Sequence, residues 1–223
     1  ERGAAVAAVT LKADGPLAQE IDVSFVSRSG QGSQIALQLV ALAILKREGF
    51  DVSAILDAFA ALPEALLSAM NEFEPRAAEI ANDMKDVAVT NVLASGPLFG
   101  AASTFTMCYL QEMQWMHAST INADEFFQGP FEVIDQQTKT IVFLGDDVTR
   151  PMGERARRFL DTYSGTTHYL DARDIVLKGV SDDMRSYLLP LVFHALVARL
   201  AAHYAAARGY ALEGRRYMWK VEY

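Results

Sequence analysis

Residues 110–135, LQEMQWMHASTINADEFFQGPFEVID, bring the helix-borne carboxylate of Glu112, the imidazole of His117 and a Gly-Pro turn into a single short passage. Glu112 and His117 are the groups there able to move a proton near neutral pH, while Gln128, just ahead of Gly129-Pro130, can only donate and accept hydrogen bonds. Upstream, Phe105, Cys108, Tyr109, Met113 and Met116 are spaced to form the buried stripe of a helix over residues 98–117. Glu112 then sits near the C-terminal end of that helix. The helix dipole and the apolar neighbours both favour its protonated form, as general acid-base chemistry requires. The alternative is a solvated Glu on the polar side of the same helix. His117 suits a cap on the last helix carbonyls.

The wording QEMQW followed by EFFQGPFE resembles the second half of the SIS (sugar isomerase) family, and most of all its fructosamine-6-phosphate deglycase branch. The resemblance implies that Glu112 is the base that carries a proton between the sugar's C1 and C2. Relatives have a His directly before the Gly-Pro turn, sixteen residues after that Glu; this chain has Gln128 there. An amide cannot exchange a proton as an imidazole does, so another group, a slower step or a reaction that needs only positioning is implied. The ending, HYAAARGYALEGRRYMWK from His203 to Lys220, is similar in order to a family tail whose Lys enters the sugar site. Lys220 takes that place as a cation for phosphate or the carbonyl oxygen. Tyr217, Trp219 and Tyr223 favour a docked tail; the alternative is a solvated terminal Lys.

Two glycine turns follow apolar, strand-like runs. Ser95 to Gly100 opens the helix that carries Glu112, and Ser95 and Gly96 are candidate contacts to an anion or sugar hydroxyl, or a plain strand-to-helix turn. Ser29 to Gln34 follows residues 21–26 and leads into a helix over 35–45, with Ser33 as N-cap and Ser33 and Gln34 as candidate substrate contacts. His203 reads as a helix residue with a satisfied ring nitrogen, and His168 and His194 belong to no motif. Gly145-Asp146-Asp147 reads as a strand-end turn without a second ligand set, so no metal and no cofactor is expected.

The elements that must position these groups alternate: strands near 87–94, 140–144 and 166–170, helices over 150–163 and 186–208. That alternation predicts an α/β fold with a mainly parallel sheet covered on both faces, and the resemblance implies a flavodoxin-like three-layer sandwich. Residues 51–85, rich in Ala, Leu and Glu and punctuated by Pro63 and Pro75, read as a helical connector. The domains expected are thus 1–50, the C-terminal part of a first SIS domain, the connector 51–85, and 86–223, a second SIS domain with its tail. Glu1-Arg2-Gly3 reads as a helix end and residues 4–11 as a buried strand, as though an α/β domain were entered halfway. A longer chain is expected, with further phosphate loops ahead of residue 1; a shorter natural chain is the alternative.

With 223 residues and 51% apolar side chains the chain can bury a sizeable core. A net charge of −8 opposes nucleic-acid binding; Arg155, Arg157 and Arg158 read as a solvated helix face, Arg215 and Arg216 as substrate or subunit contacts. The lone Cys108 excludes a disulfide framework and suits a reducing cytoplasm, and no membrane span is expected. Together these point to a sugar-phosphate protein, a deglycase by resemblance and a homodimer or higher homo-oligomer. An aldose-ketose isomerase, an amino-sugar deaminase or a noncatalytic sugar-phosphate binder are the alternatives.

Overall fold

The computed structural model describes residues 3, 6–27 and 29–222, so the expected helix end at Glu1-Arg2, the first residues of the 4–11 strand and Tyr223 lie outside the described residues. The chain divides into two units, Glu1–Asp57 and Ala58–Tyr223. In the first, β1 (Ala7–Thr10), α1 (Pro16–Glu20), β2 (Val23–Val26) and α2 (Gly30–Arg47) follow in order, with β1 and β2 paired in parallel from Ala7↔Val23 to Thr10↔Val26. The strand expected to be buried is half-exposed, because a two-stranded sheet leaves both faces incompletely covered. Ser29, not Ser33, caps α2: its Oγ accepts from the Gly32 amide at 3.0 Å, and the Ser33 hydroxyl lies one turn inside, donating to the Ser29 carbonyl.

The connector is one helix, α3 (Ser53–Met84), which keeps Pro63 and Pro75 in its interior on the exposed side, where the displaced carbonyls can turn to water. The second unit then runs β3 (Val89–Ala94), a 3-10 turn (Gly96–Leu98), α4 (Phe99–Thr104), a π-helix (Phe105–Met113), β4 (His117–Asn122), β5 (Lys139–Leu144), α5 (Arg150–Tyr163), β6 (Thr166–Asp171) and α6 (Asp182–Arg208). Its sheet is wholly parallel in the order β4-β3-β5-β6, the flavodoxin-like arrangement with its switch point between β3 and β5.

Strand periodicity divides the core. Leu93, Val142 and Leu144 face Phe126, Ala156 and Leu160, which puts α5 and the segment after β4 on one side. On the other side Phe143 packs on Phe193 of α6, its ring centroid 5.4 Å away. His168, on the same strand face as Leu170, is buried with Nε2 2.8 Å from Asp83 and Nδ1 3.2 Å from the Arg76 guanidinium. Because Arg76 can only donate, Nδ1 accepts and Nε2 carries the proton.

One prediction from the sequence is corrected here. The helix expected over 98–117 ends at Met113, and His117 opens an edge strand instead of capping helix carbonyls. From Phe105 on, the backbone bonds i→i−5, as in Gln114 N to Tyr109 O at 2.9 Å. Phe105 and Met116 of the expected stripe are buried, but the wider turn buries Thr106, Leu110 and Gln114 in place of Cys108, Tyr109 and Met113, which are half-buried.

By length and apolar composition α3 and α6 could each cross a membrane. The apolar side of α6, from Leu188 to Tyr204, is instead consumed by the core, and α3 buries Leu62, Ile80 and Met84.

Candidate active site

Glu112 lies on the last turn of the π-helix, a form that concentrates at functional sites because each added residue re-aims the side chains beyond it. The next turn is held from three sides. Gln114, fully buried, donates through Nε2 to the Tyr210 carbonyl at 2.9 Å. Trp115 adopts φ +55°, a strained conformation for a bulky residue. Its ring meets Tyr210 edge-on at 5.3 Å and carries the Arg216 guanidinium 4.3 Å from its centroid. The 2.9 Å bond from Met116 N to Leu110 O then turns the chain into β4.

Against this segment lies the tail after α6. Arg215 Nη2 sits 2.7 Å from Glu112 Oε1, with the two side chains 11% and 24% exposed, so the pair is shielded from bulk water on most sides. The neighbour expected for Glu112 was apolar; it is a cation contributed by the tail. Around the pair a cleft of about 570 Å³ is lined by Met107, Gln111, Trp115, Met116, Arg216 and Met218 among others, a size and composition suited to a small ligand with apolar and polar parts. Burial and the neighbouring Glu112 charge push the Cys108 thiol up, so it is no ready nucleophile.

Of the other residues singled out from the sequence, the structure brings His117, Arg216 and Tyr217 to the cleft, and Lys220, Ser95, Gly96 and Gln128 are not among its lining. Lys220 is on the tail but donates to the Arg215 carbonyl. Ser95 is buried, with its Oγ 3.1 Å from the Thr149 hydroxyl oxygen and 3.3 Å from the Thr149 carbonyl, to which it donates. Gly96, at φ +52°, comes so close to Thr149 that an added Cβ would fall 2.5 Å from its hydroxyl oxygen. This loop therefore packs against the β5–α5 turn, where Asp147 accepts from the amide and hydroxyl of Thr149. It follows the C-terminal end of β3, whereas Glu112 precedes the N-terminal end of β4, and the register Val89↔His117 to Ala94↔Asn122 sets the two at opposite edges of the sheet.

Gln128 is exposed, ending a 3-10 turn beyond the other end of β4, before Gly129 at φ +144°. Six residues of strand separate Glu112 from Gln128, about 17 Å of extended chain. Ser33 and Gln34 lie in the first turn of α2. Arg215 is the residue whose position sequence reasoning missed: it was read with Arg216 as a contact to substrate or to another subunit, whereas it pairs with Glu112, about a hundred residues earlier in the same chain.

Parallel sheet, π-helix-borne carboxylate and aromatic, cationic tail define an SIS-type phosphosugar protein. No family model matches the sequence. The chain is 34% identical to fructosamine deglycase FrlB of Bacillus subtilis over all of its own length and 70% of that protein's. It is 24% identical to fructoselysine 6-phosphate deglycase of Escherichia coli K12, matching 96% of its own length and 63% of that protein's. A solved candidate phosphosugar isomerase of Salmonella typhimurium LT2 superposes with a TM-score of 0.89 at 31% identity, over 99% of this chain and 72% of that one. The chain belongs to the fructosamine deglycase family.

Proposed function

We propose that the protein cleaves fructosamine 6-phosphates to glucose 6-phosphate and a free amine, with Glu112 as the group that carries the carbon proton. The observation that carries this reading is the Glu112 carboxylate, paired with Arg215 at 2.7 Å in a cleft of about 570 Å³, in a chain 34% identical to a fructosamine deglycase. In the open-chain substrate Glu112 takes a proton from C1, giving an enaminol. It returns the proton to C2, leaving an imine at C1 that water hydrolyses. The residues described give the carbon-proton step a base; Gln128 holds a hydroxyl or a water.

Glu112 and Gln128 are too far apart in one chain to touch one sugar, so a homodimer in which Gln128 from one copy meets the Glu112 cleft of the other belongs to the same proposal. Lys220, on the tail beyond Arg215, serves the phosphate or the carbonyl oxygen. Ser33, Gln34, Ser95 and Gly96 stay as proposed contacts to anionic or hydroxyl groups. A reducing cytoplasm is the compartment that fits a sequence whose one cysteine, Cys108, has no second cysteine to pair with.

The test is release of glucose 6-phosphate and amine, in equal amounts, from a fructosamine 6-phosphate. Glu112→Gln lowers kcat by about 10²–10⁴ with an unchanged melting temperature. No glucose 6-phosphate from the wild-type chain, or full turnover by the variant, overturns the proposal.

A further inference from the structure

We propose that Arg215 is a positioning residue for Glu112, the group by which the C-terminal tail sets the orientation of the catalytic carboxylate. This deepens the deglycase reading and rests on it.

The guanidinium is fixed before it meets the carboxylate. Nη1 donates to the Leu212 carbonyl at 2.7 Å and to the Gly214 carbonyl at 2.8 Å, both within its own tight turn. That turn is closed by the Gly214 amide on the Ala211 carbonyl at 3.1 Å. Trp219 lies near the guanidinium face, its centroid 5.7 Å from Cζ. Nη2 is left to reach Glu112 Oε1 at 2.7 Å. The planar fork thus spends one arm on the tail backbone and the other on the carboxylate, an arrangement that a guanidinium supplies and an ammonium does not.

The pairing is end-on. It takes Oε1, and no hydrogen bond to Oε2 is made among the described residues, so one oxygen is held while the other stays available to a substrate carbon. The start of the tail is tied to the same segment: Gln114 bonds the Tyr210 carbonyl, and Arg208, the last residue of α6, bonds the Gln114 carbonyl at 3.3 Å. Glu112 is therefore clamped between the π-helix that bears it and a tail anchored before Arg215 at Tyr210 and after it by Arg216 on the Trp115 ring. A base that must take a proton from one carbon and return it to the next tolerates little displacement, since a shift of about 1 Å costs about 10²-fold in rate.

The experiment compares wild type, Arg215→Ala, Arg215→Lys and Glu112→Gln in full-length protein, with fructosamine 6-phosphate as substrate and glucose 6-phosphate as readout. Arg215→Ala lowers kcat by about 10–100-fold with KM changed by less than about threefold. Arg215→Lys recovers part of the loss, and millimolar guanidinium restores turnover to Arg215→Ala but not to Glu112→Gln. A purely structural role would lower the melting temperature without this kcat-only pattern or the chemical rescue. Carbodiimide labelling of Glu112, followed by peptide mass spectrometry, reads the contact without activity: Arg215→Ala raises the labelling rate. If wild type releases no glucose 6-phosphate, the deglycase reading fails, and labelling alone decides whether Arg215 holds Glu112. If wild type is active and Arg215→Ala keeps its kcat, or if labelling is unchanged, the inference is overturned.

Discussion

Arg150 opens α5, where the helix dipole disfavours a cation, and is nevertheless buried. Its acceptors explain it: Asp171 through both oxygens at 2.7 and 2.6 Å, Glu154 at 2.7 Å and the Gly145 carbonyl at 2.8 Å. Burial works against the Asp171 charge, yet the hydrogen bonds from Arg150 and from the Arg173 amide hold this carboxyl below the usual carboxylate range. Arg150→Met fills similar space and leaves Asp171, 12% exposed, without its partner. Removing one member of a buried pair costs about 3–5 kcal/mol. For a chain of this size each kcal/mol moves Tm by about 2–4 °C, so a drop of about 6–20 °C is expected in a thermal scan. Adding Asp171→Leu to Arg150→Met recovers much of that loss, because the stranded carboxylate is then gone. Because these groups sit at the C-terminal ends of β5 and β6, at the opposite sheet edge from Glu112, kcat measured well below Tm stays within about twofold of wild type. A stability loss under about 1 kcal/mol, or a fall in kcat in fully folded protein, refutes the account of Arg150 as a tie between loops remote from the chemistry.

The pair of hydrogen bonds from Arg199 and His203 holds the Glu74 carboxyl down at about 2. Since the folded value lies below the unfolded one, the stabilisation is complete above about pH 4.5 and is lost as pH falls through about 2; with a third of the carboxylate in water it amounts to about 1–2 kcal/mol, so urea unfolding should show Glu74→Gln less stable than wild type at pH 7, with more than half of that difference gone by pH 3. Gln128→His returns an exchangeable proton next to the Gly-Pro turn and raises turnover of fructosamine 6-phosphate about tenfold or more; an unchanged rate shows that the amide position takes no part in a rate-limiting proton transfer.

β3, β5, β6 and the long helices of the second unit were legible because their signals are local. The helix over 150–163 matches α5 to the residue, and the apolar run near 140–144 differs from β5 only by Lys139. The π-helix and β4 were not legible. Phe105, Cys108, Tyr109, Met113 and Met116 fit a 3.6-residue period well enough, and nothing in their types announces i→i−5 bonding, which packing against α6 and the tail imposes. β4, HASTIN, has little apolar character because it is an edge strand with one half-exposed face, so no strand was read there and its first residue, His117, fell within the expected helix. Glu112 could be chosen from its type and setting, whereas Arg215 acquires its role only through tertiary contact.

The same distinction bears on how the site works. A carboxylate at the N-terminal end of β4 and an amide beyond its C-terminal end are close in sequence and far apart in space, because the strand between them is extended. A helix across the same residues would have been less than half as long, at about 1.5 Å per residue against about 3.3 Å. With β4 in place, what one chain assembles around Glu112 is the tail, through Arg215, Arg216 and Trp115. On the function proposed above, the carbon-proton step depends on contacts within a chain, and a contribution from Gln128 depends on assembly. Dilution that separates copies should remove the second while leaving the Glu112–Arg215 pair intact.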